Sequence, residues 1–171
     1  MTTDATSDGH DPYTWLLMFL REARRQGAAL QGSGSAAALT FFQEQLPGYR
    51  QVLEQALFPL LKRRLRDDDD AAEETLRQTL FLASGNLRAC LEPLAAVTSP
   101  PPDTTTTHAL TTSFLHHLDL HLEKMDTVIL PAVPTRLGEC DIALLASSLR
   151  RHPVRSPCPS THSRENVPDA R

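Results

Sequence analysis

The sequence predicts an all-α protein: an up-down-up-down four-helix bundle with a short C-terminal helix and a disordered tail. Three observations predict it. Leu and Ala are abundant in the 171 residues and aromatics make up only 5%, which favours helices packed on helices over a β-sandwich. Long stretches carry apolar residues at alternating spacings of four and three, the seam of helices crossing at small angles. Breaks rich in Gly, Pro and Asp separate them. The length suits one domain with tails: a flexible N-terminus at 1–11, the bundle at 12–152 and a Pro/Ser/Arg-rich tail at 153–171.

The first helix is expected to begin at Asp11-Pro12, an N-cap followed by the residue suited to a first turn. It runs to about residue 31, where Gly32-Ser33-Gly34-Ser35 breaks it. Leu16, Leu20, Ala23, Gly27 and Leu30 form its inward stripe, and Arg21, Arg24 and Arg25 face away. The second helix spans roughly 36–65, with Phe42, Leu46, Tyr49, Leu53, Ala56 and Leu60 inward. Pro47-Gly48 near its middle implies either a kink or two helices. The acidic run at 66–70 reads as a solvated connection whose carboxylates suit the next helix N-terminus; the other reading is a metal-binding acidic run.

The third helix is expected at about 71–97, with Leu76, Leu80, Ser84, Leu87, Leu91 and Leu94 inward. The prolines at 100–102 make 98–107 a loop. The fourth helix then runs from about 108 to 133, with Phe114, Leu118, His121, Met125, Val128 and Ala132 as its stripe. A short amphipathic piece comes next, at 139–152. Beyond it almost nothing apolar is available to bury, so disorder is expected.

Composition narrows the function classes. A net charge of −4 supplies no basic field for nucleic acid. The apolar run Trp15–Leu20 is too short to span a bilayer and leads directly into charged residues, so no membrane role is expected. Three widely spaced cysteines, Cys90, Cys140 and Cys158, fit reduced thiols in a cytoplasmic protein, with Cys90 a small core residue. There is no GxSxG, phosphate loop or HExxH, and Ser147 and Ser148 have no recognisable base. No catalytic residue is assigned, and the chain is not expected to be an enzyme.

The sharpest signal is an internal repeat. Shifting the second helix by 72 residues places Leu57 on Ile129, Phe58 on Leu130, Pro59 on Pro131, Leu61 on Val133, Arg64 on Arg136 and Leu65 on Leu137. Glu54 falls on Asp126, Leu53 on Met125 and Tyr49 on His121. Each copy carries a proline inside a helical pattern, which ordinarily costs roughly 3 kcal/mol. With their flanking acids, the segments Glu54–Leu61 (EQALFPLL) and Asp126–Val133 (DTVILPAV) resemble the hemerythrin-like, or HHE cation-binding, family. The resemblance spans roughly residues 12–151. It implies a four-helix bundle whose second and fourth helices each present a His-x-x-x-Glu pair to a di-iron centre, with further histidines from the first and third. It also places each proline beyond the metal layer, where a bend steers the chain into its next connection.

Carried over residue by residue, the resemblance puts Ala23 at the first helix's His. Tyr49 and Leu53 take the His and Glu of the second, Ser84 stands near the His of the third, and His121 and Met125 take the pair of the fourth. His121 is therefore the matched metal ligand, and His117, four residues earlier, could complete a two-ligand clip. His121 also reads as a lone interior histidine with local hydrogen bonds, His116-His117 as a partly exposed surface pair, and Tyr49 as a core tyrosine with its hydroxyl near water. Glu54 suits a surface ion pair with Arg50, and Asp126 should point outward.

Three functions are compatible with these residues. One is a hemerythrin-like bundle that has lost its di-iron site, needs no cofactor and acts through contacts with a protein partner not named by the sequence. The second is a cation-binding member, sensing iron, oxygen or nitric oxide, with di-iron in an altered site. The third is an unrelated helical interaction module. Iron content separates the first two.

Overall fold

The computed structural model describes residues 11–33, 35–66, 70–98 and 103–151. The expectations for 1–10 and 153–171, and for residues 67–69 and 99–102, lie outside them. The described residues are helical throughout their elements, with no strand among them. Helix α1 is Pro12–Ser33, α2 is Ala36–Val52, α3 is Phe58–Arg63 and α4 is Ala71–Thr98. Helix α5 is Thr104–Lys124, α6 is Leu130–Arg136 and α7 is Glu139–Arg151. None is long and apolar enough to cross a membrane.

Side-chain caps set the helix starts. Asp11 Oδ2 accepts from Thr14 N at 3.0 Å, Ser35 Oγ from Ala38 N at 3.3 Å and Asp70 Oδ1 from Ala72 N at 3.0 Å, each relieving an orphan donor of a first turn. Asp103 does the same for Thr106 N at 2.7 Å. That cap makes Thr104–Thr107 the first turn of α5 rather than the end of a loop. Pro47 does not break α2, which continues to Val52. Pro47 is exposed, so water can solvate the carbonyl that it leaves without a donor.

The two repeated prolines are handled by a repeated device. A single π-turn, Leu53–Leu57, joins α2 to α3, and another, Met125–Ile129, joins α5 to α6. The two are offset by the same 72 residues as the sequence repeat. Phe58 N–H donates to Leu53 O and Leu130 N–H to Met125 O, each five residues back. The next residue is Pro59 or Pro131, which has no N–H to give. A widened turn leaves one carbonyl out of the ladder, so a proline fits there at little cost.

The π-turn also shifts register. After Met125 the buried residues are Ile129 and Val133, not Val128 and Ala132, which are only partly covered. The extra residue in the turn rotates the downstream helix by one position. In α4 the buried stripe is Leu76, Leu80, Ala83, Leu87, Cys90 and Leu94; Ser84 and Leu91 lie at its edge. The stripes expected for α1 and the second helix are buried.

Contacts fix how the helices meet. On α4 and α5, His121 bonds Ala83 O and Cys90 lies against Phe114 O. On α2 and α5, Phe42 packs edge-on against Phe114 at 4.9 Å and Tyr49 against His121 at 5.7 Å. Both α2–α5 pairs join residues 72 apart, so repeat-equivalent positions touch each other. Gly27 of α1 lies against Leu115 and Leu118, where an added Cβ would sit 3.7 Å from each. Phe19 of α1 stacks on Tyr49 of α2 at 3.9 Å.

Two buried carboxylates tie the repeat ends together reciprocally. Arg64, after the first π-turn, pairs with Asp141 at 2.7 Å, on α7. Its repeat mate Arg136 pairs with Glu73, on α4. Each carboxylate is the third residue of its helix, and each also accepts a backbone N–H at 3.3 Å, from Gly138 and Arg66 respectively. Those two donors are again 72 residues apart. The arginine hydrogen bonds hold both carboxyls below their ordinary values.

Candidate functional site

The layer just before the π-turns is where the repeat brings its polar residues inward. Tyr49 stands on α2 and His121 on α5, both 0% exposed, and Tyr49 Oη lies 3.0 Å from His121 Nε2. The other ring nitrogen, Nδ1, is 2.9 Å from Ala83 O of α4. A carbonyl only accepts, so Nδ1 carries the proton. Nε2 is then the acceptor, and the Tyr49 hydroxyl donates to it. Three helices thus meet through one hydrogen-bonded chain, Tyr49 to His121 to Ala83.

Apolar groups close the layer. Phe19 and Trp15 flank the Tyr49 ring, at 3.9 and 6.2 Å between centroids, and Leu53, Met125 and Ala23 are fully buried. Burial lowers the His121 imidazole to about 4, so it is neutral at physiological pH. Burial raises the Tyr49 phenol well above its usual value, with the Asp126 charge adding to the effect. Both groups therefore sit in their uncharged forms, as a buried donor–acceptor pair requires. The expectation of a Tyr49 hydroxyl near water is corrected: the histidine satisfies it.

The acids one residue further on face outward. Glu54 accepts from Arg50 at 2.9 Å, Arg88 at 2.7 Å and Ser84 Oγ at 3.3 Å. Its partial burial raises its pKa, but the two arginines outweigh that and leave it lowered. Asp126, its repeat mate, pairs with Arg24 of α1. His116 is exposed and His117 half-buried, their rings 5.5 Å apart. His117 Nδ1 has no hydrogen-bond partner. Burial pushes the Cys90 thiol up to about 12, so it is no nucleophile; Cys140 is exposed. Among the described residues no three His, Cys, Asp or Glu side chains are grouped to hold a metal ion.

Sequence reasoning placed Tyr49 and His121 inward, and the structure brings them together. It missed Ala83, which contributes a backbone carbonyl and so carries no side-chain signal. The Phe42–Phe114 contact was legible, because extending the 72-residue shift two turns upstream reaches it. The α1 stripe, moved by 60, likewise falls on the α4 stripe, with Ala23 on Ala83. No known protein family, curated protein or solved structure matches the chain.

Proposed function

We propose that the chain is a hemerythrin-like, up-down-up-down four-helix bundle in which a hydrogen-bonded Tyr49–His121 pair replaces the di-iron layer, and that it acts through protein contacts rather than catalysis. The topology reading rests on contact registers. Between α4 and α5 residue numbers fall on one helix as they rise on the other, and between α2 and α5 they rise together, so α2 and α4 run in opposite directions. Alternating directions with the second and fourth helices diagonal and parallel fit those registers.

The single observation that carries the functional reading is the state of His121. Both of its nitrogens are engaged, one by Ala83 O and one by the Tyr49 hydroxyl. The remaining positions implied by the resemblance hold Ala23, Leu53 and Met125, with Ser84 near the position on the third helix. That donor set does not fit a di-iron centre, which needs several imidazoles and carboxylates converging inside the bundle. A buried carboxylate without its metal is costly, so leucine and methionine at the two glutamate positions are what a lineage without iron would keep.

Metal analysis of protein expressed with iron supplied tests this. The expected result is far below two iron atoms per chain and a colourless protein, with the His121→Ala variant no lower. Near-stoichiometric iron that is lost in His121→Ala would establish the altered-site alternative instead.

A further inference from the structure

We propose that the cavity bounded by α1, α6 and α7 is a binding site for a small amphiphilic cation, a molecule with an apolar body and an ammonium head. The cavity measures about 550 Å³, within the roughly 300–1,000 Å³ of small-molecule sites. Val133 of α6 and Leu137 just after it line the cavity and are otherwise buried. Tyr13 of α1 and Ile142 of α7 pack against the core and leave part of their apolar surface to the cavity.

The space stays open because the side chains around it are short. Gly138, Ala143 and Ala146 all line it, and nothing lies within 4 Å of where a Gly138 Cβ would stand. The two faces of α7 divide the work. Asp141, Leu145 and Ser148 are buried against the bundle. Glu139, Ile142, Ala143 and Ala146 recur at helical spacing and turn one common face to the cavity.

The charges choose the head group. The charged side chains in the cavity wall are two carboxylates, Asp11 and Glu139. Asp11 caps α1, its Oδ2 receiving Thr14 N–H and Thr14 Oγ1 at 3.0 Å each. Glu139 opens α7, and among the described residues no cation pairs with it. A helix N-terminus carries about half a positive charge, so the two together offset about one of the two negative charges. A net charge near −1 remains, beside an apolar wall that includes the Tyr13 ring, and both attract an ammonium group. An anionic amphiphile would meet that charge with the same sign. None of these residues belongs to the Tyr49–His121 layer, so binding here is independent of whether iron was lost.

Methyl NMR titration of the full chain at pH 7 in low salt tests it, with n-octylammonium, n-octanol and n-octyl sulfate as probes up to about 3 mM. The expected result is saturable shifts of the Ile142, Ala143 and Ala146 methyls, with octylammonium bound at least about tenfold more tightly than octyl sulfate and octanol between them. Glu139→Gln should narrow that ratio to about threefold or less and leave octanol binding unchanged. Ala143→Leu fills the cavity from an exposed helical position, where leucine is a good helix former, and should weaken all three probes at least about tenfold. No saturable shift, octyl sulfate bound as tightly as octylammonium, or a ratio that Glu139→Gln leaves unchanged would overturn the proposal.

Discussion

The Tyr49–His121 pair can be interrogated energetically, because its two members can be removed separately and together. Tyr49→Phe deletes one oxygen and leaves the ring stacked on Phe19 at 3.9 Å, so almost no packing is lost. It creates a fully buried imidazole Nε2 with no donor. Orphaning such a group costs about 1–3 kcal/mol. His121→Leu strands the Tyr49 hydroxyl instead, at a similar about 1–3 kcal/mol, plus up to about 1.5 kcal/mol for imperfect shape. The Ala83 carbonyl loses His121 but sits within α4, where the helix ladder still serves it. In the double variant neither polar group remains to be stranded, and apolar replacement of both partners can be nearly neutral. The double variant should therefore fall short of the sum of the singles by roughly 1–3 kcal/mol. Urea unfolding at pH 7, with all four slopes equal, measures this. Additivity within about 0.5 kcal/mol would refute the reasoning, because it would mean that the two side chains do not depend on each other.

The same structure has further consequences for stability. The unfolded chain takes up a proton near the ordinary histidine value, while folded His121 resists until about pH 4. The contribution is thus fully present above about pH 6.5 and is lost as pH falls toward 4, by roughly 3 kcal/mol in total. Comparing the acid limbs of the wild type and His121→Leu isolates it, and parallel limbs would contradict it. Met125→Ala, at a fully buried position, should cost about 2–5 kcal/mol, against under about 1 kcal/mol for the half-buried Lys124→Ala; reversed denaturant midpoints would mean a rotated α5. Pro59→Ala should shift stability by less than about 1 kcal/mol, because the π-turn already accommodates the missing donor. A gain near the roughly 3 kcal/mol expected for removing proline from a regular helix would argue against that accommodation.

How much of this was legible in the sequence depended on the kind of signal. The start of α1 was legible because Asp11-Pro12 is a local code, and its stripe because Leu16, Leu20, Ala23, Gly27 and Leu30 recur at helical spacing with Arg21, Arg24 and Arg25 off that face. The α4 register was not. Ser84 and Leu91 lie at the edge of the true stripe, and Leu91 is as apolar as its members, so periodicity alone could not choose Ala83 and Cys90 over Ser84 and Leu91. The repeat was visible as matched letters, but not as a pair of π-turns, since a helical template has no place for an extra residue. That extra residue is why Val128 and Ala132 gave way to Ile129 and Val133. At the site, the inward positions of Tyr49 and His121 came from spacing. Their mutual bond did not, because it needs two helices brought together, and the Ala83 carbonyl is a backbone group that no side-chain pattern announces.

The central claim is that a neutral, hydrogen-bonded pair occupies the layer where the resemblance places iron. Nitrogen-15 NMR of histidine-labelled protein reads it directly, since the two ring nitrogens report separately which is protonated. At pH 7 the account predicts a neutral His121 ring with its proton on Nδ1 and an unprotonated Nε2 accepting from Tyr49, unchanged when zinc is added as a diamagnetic probe. A proton on Nε2, a doubly protonated ring, or an Nε2 signal that moves stoichiometrically with added zinc would contradict it.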